Sequence, residues 1–473
     1  MAPCNADGNI RAMLKNVILI EPRYKAKYPP LGLMKISTYF KQKGFNVEFS
    51  KGIPEITLFD AAKEYDIVCV STLFTYDYDI VIKTINEAKA LLKKDGRMFV
   101  GGNMATVMHD DVFRDTGIKP VLGILDKPKM LGFDDGIVID DLVADYSIIP
   151  DCPKDVAYTS ATKGCEKDCS FCIVKKIEPK YIDYKKILVP DNIKSLIMLD
   201  NNVLASKRFE EIARDIKNVG AKTVDFNQGI DYKLATKKNM SLLKDMGVKT
   251  VRFSIDDCES FEKYERAVKI SIECGFKLFV TSMLYNFNDK PSDLYRRLKI
   301  NSEIGQKHNI SVNSFPMKYI PLTAKDRKHI GKHWNKKFIR SIQGMLCSAR
   351  GLVSGKSNFF NHMWGNSEEE FLEILWMPFD MIVYRRKYSE KLRSEFPSIK
   401  KYHDENDLIS EFLEKYRTLD NERVNKLHEI VSVLKYDDIG DSKIDDLLRY
   451  YRLNTPSYEI PWSKSYRGSV DRC

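Results

Sequence analysis

Apolar residues near the start of this chain fall in short runs separated by amphipathic stretches. The run NVILI (Asn16 to Ile20) predicts a buried strand, and PPLGLMKISTYFKQKG carries a helical spacing that stops at Gly44. NVEF and YDIVCVSTLF predict two further strands, INEAKALLKKDG a polar-faced helix and RMFVGGN a fourth strand. Strands and helices alternating through short turns predict an open parallel sheet with helices on its faces, a Rossmann-like layer over residues 1–150. Ligands of such sheets bind at the carboxyl ends of the strands, here Glu21 to Tyr24, Ser71 to Phe74 and Gly101 to Asn103.

After the turn-rich DKPKMLGFDDG and the segment VIDDLVADYSIIPDCP, a second series begins. Strands are predicted in DVAYTSAT, SLIMLDNN, TVDFNQG, TVRFSIDD, KLFVTSMLYN and SVNSFPMKYI, with amphipathic helices such as KRFEEIARDIKNVG and PSDLYRRLKINSEIGQK between the later ones. Six strands joined by crossovers predict a partial (β/α)6 barrel over residues 151–345, with its chemistry at the strand carboxyl ends. Strand patterns then disappear. Residues 346–473 predict a helical domain: Ser367 and Glu370 form a capping box before EEFLEILWM, and DMIVYRRKYSEKLRSEF, DLISEFLEKYRTL, ERVNKLHEIVSVLKY and KIDDLLRYYRL follow. The fold class expected is α/β, with a helical carboxyl-terminal domain.

Composition agrees with a folded chain of about three domains. Of the 473 residues, 43% are hydrophobic and 30% charged, which argues against disordered, collagenous and low-complexity classes. No run approaches the roughly 18 apolar residues of a membrane span. The opening MAPCNADGNIRAMLKN has no apolar stretch of signal-peptide length, so a cytoplasmic location is expected. Lys and Arg outnumber Asp and Glu by 76 to 66, a net charge of +10 that permits a polyanionic partner without demanding one.

Of ten cysteines, Cys4, Cys69, Cys152, Cys258, Cys274, Cys347 and Cys473 are scattered without a framework. The other three are bunched. Cys165, Cys169 and Cys172 lie in ATKGCEKDCSFCIV, spaced Cys-x3-Cys-x2-Cys directly after a predicted strand. Three thiolates on one loop suit a soft metal centre, and an iron–sulfur cluster is the usual occupant where no fourth cysteine is near. An ordinary zinc or redox loop is the bland alternative, although structural zinc wants four closed ligands.

On this spacing, with Phe171 before the last cysteine, the chain resembles the radical S-adenosylmethionine superfamily over about Val156 to Leu322. The resemblance implies a [4Fe-4S] cluster on Cys165, Cys169 and Cys172 with one open iron that chelates S-adenosylmethionine. It also implies reductive cleavage to a 5′-deoxyadenosyl radical, an external electron donor of flavodoxin or ferredoxin type, and Phe171 beside the adenine. The second strand ends in Asp200, Asn201 and Asn202, where the family holds the methionyl amino group; the common Gly-Gly-Glu is absent, and a helix-capping turn is the alternative. At the third strand end stand Asn227, Gln228 and Gly229; at the fourth, Ser254, Asp256 and Asp257, with Asp256 the ribose candidate or a turn acid. Ser282, Tyr285 and Asn286 on the fifth strand face either a ligand or the packing.

Residues 1–150 are similar to the cobalamin-binding domain of one radical S-adenosylmethionine branch. Ser71 to Leu73 and the Gly101 to Gly102 pair stand where that fold contacts the corrin. The Asp-x-His-x-x-Gly that supplies a lower ligand is missing, and His109 is the domain's only histidine, so cobalamin binding and a vestigial layer both stay open. In AKDRKHIGKHWNKKFIRSIQ, Lys328, Lys332, Lys336 and Arg340 recur every four residues, which on a helix makes either a phosphate-tracking face or a plain solvated one. The function expected is radical functionalisation of a C–H bond, with methyl transfer if cobalamin binds. The alternatives are cobalamin-free modification of a nucleic-acid base or nucleotide, and a non-catalytic iron–sulfur or nucleic-acid-binding protein.

Overall fold

The computed structural model describes residues 15–55, 64–379, 381–382 and 401–452. The chain is a mixed α/β protein dividing into two compact units. The first takes the described part of Met1–Gln228 together with Asp245–Val248 and Ile320–Arg327, and the second takes Gly229–Lys244, Lys249–Tyr319 and the described part of Lys328–Cys473.

The first unit opens on four parallel strands, β1 (Asn16–Glu21), β2 (Asn46–Lys51), β3 (Tyr65–Thr72) and β4 (Leu92–Gly102), ordered β2-β1-β3-β4. Strand side chains alternate between faces, and both faces of this sheet are covered, which is why NVILI reads as one apolar run. Ile18 and Ile20 pack with Val81 and Ile85 of α2 (Tyr78–Ala88), whereas Val17 and Leu19 pack with Leu33, Ile36 and Phe40 of α1 (Leu31–Gln42). The helix expected through INEAKALLKKDG is shorter than its pattern. It closes at Ala88, a 3-10 turn spans Lys89–Leu91, and Leu92 already pairs with Tyr65 before an irregularity shifts the register to Ile67 and Arg97. Burial of Leu91, with Leu92 against the same core, turns the chain into the sheet and breaks the helical spacing.

Two short helices, α3 (Asn103–Val107) and α4 (His109–Thr116), follow β4. A second parallel sheet of the same unit is ordered β5-β6-β7, from β5 (Val156–Thr159), β6 (Ser195–Met198) and β7 (Thr223–Phe226), with α5 (Val174–Ile177) and α6 (Phe209–Val219) between them. The outer edge of β7 carries one isolated parallel bridge, Val224 to Val248.

In the second unit β8 (Thr250–Ser254), β9 (Leu278–Tyr285) and β10 (Ser311–Lys318) are parallel, so all six strands predicted for the barrel form, three in each of two hydrogen-bonded sheets. A two-residue antiparallel strand that the pattern did not predict, β11 (Val353–Ser354), pairs with β10. Helices Phe261–Glu273, Pro291–His308, Lys336–Ser348, Ser357–Trp364 and Glu368–Trp376 follow, and then Lys401–Arg417, Asn421–Ser432 and Ser442–Arg452. Ser367 caps its helix by accepting from the Glu370 amide, as its capping box predicts. The helix expected in DMIVYRRKYSEKLRSEF lies almost wholly outside the described residues. Among the described residues no helix is long and apolar enough to cross a membrane.

The basic run is not the continuous helix its spacing predicts. The helix begins only at Lys336, where Asn335 caps it by accepting from the Phe338 amide. Ahead of it the chain is held in irregular backbone by Asn286, a fully buried side chain whose Nδ2 donates to the Tyr319 and His329 carbonyls and whose Oδ1 accepts from the Gly331 amide. That satisfied clamp also assigns Asn286 to packing. Lys328 and Lys332 therefore share no helical face with Lys336 and Arg340, and the Arg340 guanidinium lies over the Phe379 ring at 4.3 Å.

Candidate cofactor site

The cysteine loop leaves β5 and returns on itself. Its limbs are joined by Lys163 and Ile182, which exchange backbone hydrogen bonds of 3.2 and 2.9 Å, and by the Lys185 amide donating to the Ala161 carbonyl at 2.6 Å. At Gly164 the backbone takes φ +73°, and a Cβ there would meet the Lys180 carbonyl oxygen at 2.5 Å, so the limbs close this tightly only around glycine. Beyond it Cys165, Cys169 and Cys172 are all partly exposed on irregular backbone, with Phe171 half-buried beside them. The Cys172 amide donates to the Cys169 carbonyl at 2.9 Å, closing a turn just before α5. Burial pushes the Cys172 thiol up, and the nearby Cys165 adds to the rise.

Among the described residues no three His, Cys, Asp or Glu side chains stand close enough to hold an ion. The donor chemistry of the loop nevertheless fits a thiolate-held iron–sulfur centre: three soft ligands, solvent access, and backbone unconstrained by helix or strand between Cys165 and Cys172.

The turn after β6 supports the loop from below. Asp200 is 1% exposed, and its Oδ1 accepts from the Ala161 amide at 2.9 Å, the Thr162 amide at 2.6 Å and the Thr162 hydroxyl at 2.8 Å. Its other oxygen, Oδ2, is buried without a hydrogen-bond partner, as is Oδ1 of Asn202. Burial pushes the Asp200 carboxyl up to about 6, against the lowering pull of Thr162, Ala161 and Lys163. Asn202 makes no side-chain cap to the 3-10 turn Val203–Ala205, so the capping alternative does not describe it. A buried acceptor left unpaired costs about 1–3 kcal/mol, and two on one turn call for a donor such as an ammonium group. Asn201 is engaged otherwise, its Nδ2 donating to Glu178 Oε2 at 2.8 Å.

Asn227, after β7, accepts at Oδ1 from the Tyr28 hydroxyl at 2.5 Å, and the Tyr28 ring meets Tyr158 of β5 edge-on at 5.6 Å. Gln228 is exposed. In the second unit Ser254 is half-buried at the end of β8. Asp256 is exposed with Oδ1 accepting from the Leu284 amide at 2.8 Å, and Asp257 holds the Ser260 amide at 2.9 Å as a turn acid does. Sequence reasoning passed over Glu178, Tyr28 and Tyr181. The Tyr181 hydroxyl donates to the Asn202 carbonyl at 3.2 Å, and its phenol is raised by burial and by the charges of Asp183, Glu166, Asp200 and Cys165.

Of the residues named for a corrin, Gly101 and Gly102 are engaged in the layer's own packing. At Gly102, with φ +104°, a Cβ would lie 2.2 Å from the Thr72 carbonyl oxygen, and Gly101 pairs with Val121. The Thr72 hydroxyl accepts from the Ala105 amide at 2.8 Å and donates to the Gly101 carbonyl at 3.0 Å. Ser71 Oγ is buried without a hydrogen-bond partner, and burial raises the Tyr24 phenol beside it. Past Leu73, Phe74 stacks on Tyr76 at 4.9 Å and meets Tyr24 edge-on, while Arg327 covers Tyr76 at 4.1 Å. His109 is paired with its exposed neighbour Asp110. Tyr24, Phe74 and Tyr76 pack together beside these strand ends.

The chain matches no family model and no curated protein. Among solved structures it is similar to the radical S-adenosylmethionine methyltransferase TsrM from Kitasatospora setae, determined with tryptophan substrate and the analogue aza-SAM bound. Identity is 16%, the TM-score is 0.44, and the match covers 59% of this chain and 70% of that one. At that level the likeness bears on neither activity nor ligands.

Proposed function

We propose that this protein is a radical S-adenosylmethionine enzyme. Cys165, Cys169 and Cys172 would hold a [4Fe-4S] cluster, and Asp200 Oδ2 with Asn202 Oδ1 would take the ammonium of S-adenosylmethionine. One observation carries the reading: the three-thiol loop is rooted through Asp200 Oδ1 on the same turn that offers those two unpaired buried acceptors. When bound, the cluster supplies one electron for cleavage of the sulfonium bond, which starts radical chemistry on a substrate C–H bond.

The chain's own residues bind and orient. Asp200 splits its carboxylate between fixing the loop and accepting from a ligand, so an ammonium seated there is held in register with the cysteines. Burial around Asp200 and Asn202 keeps water from competing for those acceptors. Phe171, beside Cys172, is the candidate to flank the adenine, with Asn227 and Gln228 as candidates for the nucleoside. A small flavodoxin- or ferredoxin-type protein would deliver the electron. The reading invokes no cobalamin; Tyr24, Phe74 and Tyr76 pack together beside the strand ends where it would lie.

The test is anaerobic reconstitution with iron and sulfide, reduction with dithionite and measurement of 5′-deoxyadenosine. Wild type should form it and Cys169→Ala should not. A protein that binds no iron ends the reading.

A further inference from the structure

Two carboxylates, Asp200 fully buried and Glu178 largely so, grip the root of the cysteine loop. Asp200 holds the amides of Ala161 and Thr162, and Glu178, on the returning limb, holds the Gly164 amide at 2.5 Å through Oε2. The same Oε2 accepts from Asn201 Nδ2 at 2.8 Å, so one oxygen ties the residue before Cys165 to the residue between Asp200 and Asn202. Its other oxygen, Oε1, faces Lys163 Nζ at 3.8 Å. Lys163 is in turn 3.8 Å from Asp140, which pairs with Lys35 of α1 at 3.0 Å and with Lys185 of the returning limb at 2.5 Å. The side chains of Glu178, Lys163 and Asp140 are only 10 to 14% exposed.

We propose that Glu178 is a positioning residue that sets the register between the cysteine loop and the Asp200–Asn202 turn, and through it the seat of the S-adenosylmethionine ammonium against the cluster; this rests on the function proposed above. Without Glu178, residues 161–162 remain pinned by Asp200, but Gly164 and Asn201 lose the partner they share at the point where the chain enters Cys165. The thiols stay on one loop and still bind iron. What changes is the distance from the cluster's open side to the unpaired oxygens of Asp200 and Asn202. Glu178→Gln keeps a carbonyl oxygen able to accept from both the Gly164 amide and Asn201, and gives up only the weaker approach to Lys163.

The experiment compares wild type, Glu178→Ala, Glu178→Gln, Asn201→Ala and the Glu178→Ala/Asn201→Ala double variant. Iron and acid-labile sulfide are counted after anaerobic reconstitution. Electron paramagnetic resonance spectra of the reduced proteins are then recorded with and without S-adenosylmethionine, and its Kd is measured by equilibrium dialysis. Expected are full iron in all, a spectrum in Glu178→Ala that no longer responds to S-adenosylmethionine as wild type does, and a Kd weakened about tenfold or more. Glu178→Gln should stay within about threefold of wild type, and the double variant should be no weaker than the worse single one, since both act through one contact. A Glu178→Ala spectrum and Kd like those of wild type overturn the proposal. Loss of iron from both Glu178 variants also overturns it, by making the residue part of the loop's folding. Wild type without iron overturns the underlying function instead. Should Glu178→Ala not fold, Asn201→Ala with an unchanged Kd and spectrum decides against the proposal.

Discussion

The Tyr28 hydroxyl donates to Asn227 Oδ1 at 2.5 Å, joining the loop after β1 to the end of β7 across 199 positions of sequence. With its carbonyl oxygen engaged, Asn227 has the two N–H groups of its amide left to offer. Tyr28→Phe removes the bond and leaves the ring contact with Tyr158 in place. Urea unfolding should show a loss of about 1 kcal/mol, and S-adenosylmethionine binding should weaken a few-fold.

Asp200 should separate two roles when it is changed in two ways. Asp200→Ala strips partners from the Ala161 and Thr162 amides and should cost about 3 kcal/mol or more by chemical denaturation. Asp200→Asn keeps one accepting oxygen, so it should stay folded with iron bound while its Kd for S-adenosylmethionine rises at least tenfold. The pH dependence follows from the raised carboxyl, at about 6. Between its ordinary value of 3.8 and 6 the folded state holds a proton that the unfolded chain has released. This contribution to stability is present below about 4 and lost as pH rises through 6. Binding of the ammonium runs the other way and should weaken as pH falls through 6, a dependence that Asp200→Asn should abolish.

A second pH signature belongs to Lys337. It is fully buried, donating to the Met377 carbonyl at 2.6 Å and the Ser341 hydroxyl at 2.7 Å, and burial pushes it down to about 7. Between 7 and the ordinary 10.5 the unfolded chain binds a proton that the folded state has released, so stability rises with pH across that window. One linked proton gives a slope of at most about 1.4 kcal/mol per pH unit. Thermal unfolding from pH 7 to 10 should show the rise, and Lys337→Met should flatten it.

Corrin binding is expected to be absent. Hydroxocobalamin mixed with the protein under reducing, anaerobic conditions should separate from it on gel filtration, because Gly102 is packed on Thr72 and Phe74 on Tyr76. Co-elution of one corrin per chain would contradict this expectation.

What was legible in the chain was what local spacing encodes. Val17 to Ile20 announced a strand buried on both faces, the six barrel-type strands stood out as short apolar runs, and Cys165, Cys169 and Cys172 are a covalent pattern that needs no fold to be read. Contacts between distant segments were not legible. Nothing near Glu178 marks it as the partner of Gly164 and Asn201, and nothing near Tyr28 points to Asn227. The four-residue spacing from Lys328 to Arg340 misled for the same reason: the Asn286 clamp on Gly331, arriving from another strand end, keeps the first half of that run out of a helix.

The central claim is that the three cysteines and the turn at Asp200 form one cofactor site. Its most direct measurement is the 5′-deoxyadenosine released from S-adenosylmethionine by the reconstituted, dithionite-reduced protein, with wild type and Cys169→Ala side by side. The account predicts at least one equivalent per chain from wild type and none above background from the variant. Equal amounts from both, or none from a wild-type protein carrying a full complement of iron and sulfide, would contradict it.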